Sequence, residues 1–297
     1  MLVLLNWKFI CGDDNMIQIG MSTWADHPSL SVEGKEKSTL DEYAGHFPVV
    51  EVDSSFYAIP SLSNIVNWQH QVPENFKFIF KASRVMTLHD TNDDEEYLTP
   101  ERRMEFTSFR KVMQPLINSQ QLESVLFQFP PSFRCDLTNI RYLFEIREMM
   151  GNLPIAVEFR NSSWFTKALE ADTISYLERL NMINVTVDEP FDGNLGMPLV
   201  LQVTSTDKAM FRLHGRNAKG WFNSGKEWRR ERTNYRYSTD ELNELAKWIK
   251  AVAEQVSDVT VIFNNNGNHD AVDNGEELQK ILGLHFEGLG PVQMDLF

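Results

Sequence analysis

Short apolar runs punctuate the chain and alternate with longer stretches in which apolar residues recur at helical spacing. Ile17–Gly20 is the first run. A loop rich in Pro, Ser and Gly follows, then a short helix through Phe47, with Thr39 as N-cap and Glu42 placed for a capping box. Val49–Asp53 is the second run, with a helix from Ser61 or Ser63 to about Gln71, and Phe76–Lys81 is the third. Thr99-Pro100-Glu101 starts a helix reaching about Ser119, since proline suits the first helical position. Val125–Phe129 is the fourth run, stopped by Pro130-Pro131, and Leu137–Met150 is helical. Ile155–Arg160 and Ile183–Asp188 are the fifth and sixth, separated by a helix over Asp172–Leu180. Beyond the sixth the pattern changes, and Leu199–Thr204 predicts an extra strand in place of a helix. Ala209–Arg216 is the seventh run, with Gly215 where the chain must turn sharply out of its strand. A helix from Ser238 to Gln255, a run over Val259–Phe263 and a helix over Ala271–Leu282 complete the order.

Strands alternating with helices predict a parallel sheet. Eight such repeats over roughly 250 residues predict an α/β fold of the (β/α)8 TIM-type, a single domain with an atypical sixth βα connection. An open doubly wound sheet is the alternative, but no glycine-rich phosphate fingerprint follows the first strand. The barrel is expected over residues 16–287. Residues 1–15 read as an N-terminal arm or a mis-called start, with Met16 as the alternative beginning, and 288–297 as a flexible C-terminal tail.

Composition narrows the function classes. The formal charge of −14 argues against a protein that wraps nucleic acid with its whole surface, because phosphate binding needs local positive charge. The two cysteines, Cys11 and Cys135, lie far apart without metal-ligand spacing, which suits a reducing compartment. No run approaches membrane-spanning length, so a cytoplasmic protein with no membrane partner is expected.

In a barrel the active site lies at the C-terminal ends of the strands. There the sequence delivers Ser22 and Trp24, then Glu51, Asp53, Ser55 and Tyr57, then Lys81, Thr87 and His89, and Gln128 from the fourth strand. Glu158 and Arg160, Asp188, then Arg212, His214 and Arg216 follow, and Asn264, Asn265 and Asn266 end the eighth strand. Polar strand ends after apolar interiors suit a solvated site. A structural ion-pair network at the barrel mouth is the competing reading of Glu51 and Glu158.

The motifs Ile19-Gly20-Met21-Ser22-Thr23-Trp24, Glu51-Val52-Asp53-Ser54-Ser55-Phe56-Tyr57, Phe80-Lys81-Ala82, Gln128-Phe129-Pro130-Pro131, Val157-Glu158-Phe159-Arg160 with Ser163-Trp164, Arg212-Leu213-His214-Gly215-Arg216 and Phe263-Asn264-Asn265-Asn266 are specific taken together. Through them the chain resembles the domain of unknown function 72 (YecE-like) family of (β/α)8 barrels, from Met16 to the C-terminus. Asp53 departs from the asparagine usual there. The resemblance implies the fold, and the chemistry must be read from the residues.

Two functions follow from those residues. The first is binding or processing of a small anionic ligand, a phosphate ester, sugar phosphate or nucleotide-like compound, by a hydrolase or lyase. Lys81, Arg160, Arg212 and Arg216 would clamp the anion, Glu51 or Glu158 would act as base and His214 or His89 as acid. Ser22, Trp24, Tyr57, Gln128, Asp188, Asn264 and Asn265 would complete the binding wall. His89, Glu158, Asp188 and His214 are ligand types for a metal, but no HxH or HxxxH pair occurs and the nearby cations would repel one, so no metal or cofactor is expected. The second is an interaction protein. Gln293-Met294-Asp295-Leu296-Phe297 resembles the peptide with which bacterial replication and repair proteins dock on the sliding clamp, Gln293 with apolar anchors Met294, Leu296 and Phe297. The basic, aromatic segment Lys219–Tyr237 has the interleaving of single-strand nucleic-acid binders, or else forms a lid that packs its aromatics.

Overall fold

The computed structural model describes residues 16–32, 35–90, 97–193, 195–222 and 228–291. The N-terminal arm, the C-terminal Gln293–Phe297 peptide and most of the acidic stretch Asp90–Glu96 lie outside the described residues. Eight strands, β1 (Met16–Ser22), β2 (Val49–Val52), β3 (Lys77–Lys81), β4 (Leu122–Gln128), β5 (Ile155–Glu158), β6 (Met182–Asp188), β7 (Lys208–Leu213) and β8 (Asp258–Phe263), close into one barrel in sequence order. Every ladder is parallel, and β8 returns to β1 with Ile17 opposite Val259 and Met21 opposite Phe263.

The outer helices begin where capping chemistry allows. Thr39 and Glu42 form the reciprocal capping box of α1 (Leu40–Ala44), and Thr99 caps α3 (Pro100–Asn118) ahead of its N-terminal proline. A second capping box, Ser238 with Glu241, starts α8 (Thr239–Ala253), and the remaining helices are α2 (Leu62–His70), α4 (Leu137–Met150), α5 (Glu170–Arg179), α6 (Ala218–Trp221), α7 (Trp228–Arg232) and α9 (Ala271–Leu282). Aromatic packing between strands and helices sets which way each strand faces. Phe80 packs against Trp68 and Phe127 stacks on Phe106 of α3. Phe129, Phe133, Phe159 and Trp164 form a continuous stack outside β4 and β5. Side chains alternate along a strand, so the neighbours of these rings, Lys81, Gln128, Glu158 and Arg160, point into the barrel.

Two expectations need correction. Leu199–Thr204 is not a strand. It runs over the outer face of β6 and bonds to it through side chains: Thr186 Oγ1 donates to the Val200 carbonyl at 2.8 Å, and Thr204 Oγ1 donates to the Met182 carbonyl at 2.6 Å while accepting from Asn184 N at 2.7 Å. Thr204 of the segment and Thr186 of β6 are the groups that hold it on as a cover. Strand β4 begins at Leu122 rather than Val125, because Glu123 is buried in an ion pair with Lys208 Nζ at 2.6 Å, which closes the lower end of the barrel.

Glycine is required at Gly20 and Gly215. A Cβ on Gly20 would stand 2.0 Å from the Val49 carbonyl oxygen, so β1 approaches β2 more closely than a side chain permits. Gly215 has φ +88°, and a Cβ there would lie 2.4 Å from Tyr235 Cβ. This left-handed residue ends the in–out alternation of β7, which decides the orientation of Arg216.

Candidate active site at the barrel mouth

Arg212 points inward from β7 and is fully buried. Its Nε and Nη2 donate to Glu51 Oε2 and Oε1 at 2.8 and 2.6 Å. Its Nη1 donates to Glu158 Oε2 and, at 3.2 Å, to Gln128 Oε1. One planar fork thus ties β2, β4, β5 and β7 together, the geometry for which guanidinium is suited. Arg160, two residues beyond Glu158 and on the same face, places Nη2 2.5 Å from Glu158 Oε1 and donates from Nη1 to Glu189 Oε2 at 2.7 Å. His214, two beyond Arg212, sits with Nε2 3.0 Å from Arg160 Nη2 and Nδ1 3.0 Å from Asn264 Nδ2. Asn264 in turn accepts from Ser22 Oγ at 2.6 Å.

Above this layer opens a cavity of about 980 Å³. Lys81, His89, Arg160, His214, Gln128, Asn264 and Tyr57 line it, together with Asp53, Glu189, Trp221 and Arg232. Arg160 and Arg232 both lie over the Trp221 ring, at 5.4 and 3.9 Å from its centroid. Thr23 on the cavity wall and Leu88, which precedes His89, adopt left-handed backbone with φ +55° and +62°. For side chains of these types that conformation costs on the order of 1–3 kcal/mol, and such strain gathers at functional sites.

Burial and the cations set the protonation of the wall. Burial, then Lys81 and Arg160, lowers His89 to about 4, and burial followed by Arg160 lowers His214 to about 3. Both rings are therefore neutral near pH 7; His214 Nδ1 can accept from Asn264 Nδ2, which leaves the single ring proton on Nε2, 3.4 Å from Glu158 Oε1. A neutral ring does not carry the extra proton of the general acid expected of them. Glu158 is pushed up by burial but held well below the ordinary range by Arg160 and Arg212. Glu51 shares Arg212, yet burial dominates and raises it to about 7, with Asp53 adding to the rise. Glu189 is likewise raised to about 7, mainly by burial. As a cavity-lining carboxyl poised near neutrality, it can both give and take a proton.

The structure divides the expected site residues. Lys81, His89, Gln128, Arg160, His214, Asn264 and Tyr57 face the cavity, the last with 68% exposure. Glu51, Glu158, Ser22 and Arg212 lie fully buried beneath it, as a supporting layer. Trp24 packs edge-on against Trp68, 5.3 Å away, outside the lining. Arg216 and Asp188 pair with each other on the outer side of the barrel. Arg216 Nε is 3.0 Å from both Asp188 oxygens and Nη1 is 3.1 Å from Glu244, while Tyr237 Oη donates to Asp188 at 2.7 Å. Asn265 is buried in a loop-bracing role, donating to the Tyr235 carbonyl and Asn274 Oδ1 at 2.9 Å each. Among the described residues His89, Glu158, Asp188 and His214 do not assemble, and no group of His, Cys, Asp and Glu is disposed to hold a metal. Trp221 and Phe222 from the basic, aromatic segment do line the cavity.

Glu189 and Arg232 were not anticipated. Alternation could have found Glu189: Thr186 and Asp188 face outward, so the next inward position of β6 falls on 189.

The raised carboxyl gives a prediction. Folded Glu189 keeps a proton that the unfolded chain releases between its ordinary value, near 4.5, and about 7, so its contribution to stability declines as pH rises through that window. Glu189→Gln should therefore gain stability relative to the parent protein by about 1–3 kcal/mol between pH 5 and pH 7.5. Urea unfolding at the two pH values checks this, and a difference that does not move with pH contradicts a carboxyl held near neutrality.

With this geometry in place, relatives of known sequence and structure are informative. A family model described as "Protein of unknown function DUF72" matches residues 18–295. The chain is 40% identical over 285 residues to the UPF0759 protein YunF of Bacillus subtilis (strain 168), covering 95% of this chain and 100% of that protein. It is 27% identical over 160 residues to the UPF0759 protein YecE of Escherichia coli (strain K12), 54% of each. A DUF72 family protein from Enterococcus faecalis V583 superposes with a TM-score of 0.86 at 37% identity, covering 94% of this chain and 100% of that one. One from Thermotoga maritima MSB8 does so with a TM-score of 0.75 at 28% identity, covering 91% and 100%. This closed parallel barrel therefore belongs to the DUF72 family.

Proposed function

We propose that the protein binds a small anionic ligand at the C-terminal face of its barrel, with Lys81, His89 and Arg160 as the groups that meet it. One observation carries this reading. Arg160 Nε is buried beside the cavity and has no hydrogen-bond partner, although both Nη atoms are engaged, with Glu189, Glu158 and His214. A buried unpaired donor costs about 1–3 kcal/mol, more on a charged group, and an anionic oxygen would satisfy it. Lys81 supports it with a second charge, only loosely paired with Asp53 at 3.4 Å. His89 sits close enough to both cations to be lowered by them, while its Nδ1 is engaged with Thr87 Oγ1 at 2.9 Å. Arg212 and Arg216 take no part, being occupied by carboxylates away from the lining.

A second reading keeps the Gln293–Phe297 peptide as a docking segment for a bacterial sliding clamp. It is supported by the position of the residues just before it. Gly290 N donates to the Ala44 carbonyl at the end of α1, at 2.8 Å, and Asn75 Nδ2 to the Glu287 carbonyl at 3.5 Å. Both partners precede strands, so the chain leaves the barrel at the face opposite the cavity, where a docked partner would not obstruct it.

Millimolar inorganic phosphate should raise the melting temperature. A ligand at about 100 times its Kd stabilises by about 2.7 kcal/mol, which for a chain of this size is a shift of several degrees. Lys81→Ala and Arg160→Gln should abolish the shift while Arg216→Ala retains it. The same response in all three variants, or none in the parent protein with phosphate, sulfate or a carboxylate, contradicts the reading. For the tail, a Gly290–Phe297 peptide should bind purified clamp in a fluorescence polarisation assay, and no binding at high micromolar concentration removes that function.

A further inference from the structure

The cavity wall constrains more than the sign of the ligand's charge. Beside Arg160 Nε, which lacks an acceptor, Asp53 Oδ1 is buried and faces Lys81 Nζ at 3.4 Å without a well-directed bond, although its side chain is 36% exposed. An acceptor and a donor are therefore missing from the same wall. A fully ionised oxyanion such as acetate supplies only acceptors and would leave Asp53 unsatisfied, and inorganic phosphate offers Asp53 no donor beyond its own P–OH. Gln128 gives its Oε1 to Arg212, which turns its NH₂ group toward the cavity as a further donor.

Charge limits the ligand as well. Lys81 already faces Asp53, Arg160 faces the partly protonated Glu189 at 2.7 Å, and Arg232, a further cation of the lining, lies over the Trp221 ring. Additional negative charges on a ligand would be pressed against those carboxylates. At the mouth Tyr57 stands 68% exposed with its ring braced edge-on by Phe56 at 5.2 Å, a flat apolar face beside polar groups. Alternating hydroxyls around an apolar ring face match that arrangement, and a volume near 980 Å³ has room for one or two such rings.

We infer that the ligand is a polyhydroxylated compound with a single anionic group, a sugar monophosphate or a sugar acid. The inference rests on the anion-binding reading above and specifies it. The anion takes Arg160 Nε and Lys81, a ligand hydroxyl donates to Asp53 Oδ1, and Tyr57 covers the C–H face of the ring.

Calorimetric titration of the full chain separates the two levels. The probes are inorganic phosphate, acetate, a panel of pentose and hexose monophosphates, gluconate, glucuronate, and ATP as the polyanion. At least one polyol anion should bind ten-fold or more tightly than the bare anion of its own class, and ATP no better than inorganic phosphate. The phosphate and carboxylate arms show which anionic group is used. Asp53→Ala should reduce that advantage to less than three-fold while inorganic phosphate still binds. Tyr57→Ala, at an exposed position that folding does not need, should reduce it as well. Phosphate or acetate binding with no gain from any polyol, or ATP binding tightest, overturns this inference and leaves the anion reading intact. Binding of no anion overturns both.

Discussion

Arg212 carries a full charge to a depth that solvent does not reach, and its neutralisation by Glu51 and Glu158 shapes the upper half of the barrel. Such a buried cluster adds little net stability compared with well-packed apolar side chains, since desolvation offsets most of the attraction. What it supplies is position. Glu158 is fixed by Arg212 on one oxygen and can orient Arg160 with the other, and Arg160 then sets His214 and Glu189. A chain of charge-assisted contacts from β2 to β7 therefore fixes the cavity floor before any ligand arrives, which is the condition for preorganised electrostatics.

The same layer separates support from contact. Charges beneath the floor are paired as ions among themselves, Glu158 Oε1 through its ion pair with Arg160 although no directed hydrogen bond reaches it, whereas the wall above keeps unmatched capacity in Arg160 Nε and Asp53 Oδ1. Burial, reinforced by nearby cations, keeps the two histidines neutral, and burial raises Glu189 to near neutrality despite its contact with Arg160. On this wall the group held near neutrality is therefore a carboxyl rather than an imidazole, the reverse of what residue type alone would suggest.

The fold was legible because each strand is a compact apolar run and several helices start at caps with a distinct signature, Thr39 with Glu42 and Ser238 with Glu241. The family motifs between Ile19 and Asn266 then pointed to one barrel, and the matched relatives agree. The site was only partly legible. Polar residues at strand ends occupy both faces of the barrel wall, and period-two alternation sorts them. Glu51 and Asp53, Glu158 and Arg160, and Arg212 and His214 share the inner face, whereas Asp188 faces outward. Arg216 would have continued the inner row of β7, but the left-handed Gly215 turns it out toward Asp188 and Glu244. Depth was the other hidden variable. Whether a carboxylate lines a cavity or lies beneath it depends on the height at which each strand ends, and a one-dimensional pattern does not contain that height.

The division of cations into supporting and ligand-facing groups is the central claim, and a crystal structure of the protein soaked with selenate tests it most directly. Anomalous density is expected within hydrogen-bonding reach of Arg160 Nε and Lys81 Nζ, with Arg212 still bound to Glu51 and Glu158. Density on Arg212 or Arg216, or a cavity without any anion at saturating concentration, would contradict the account.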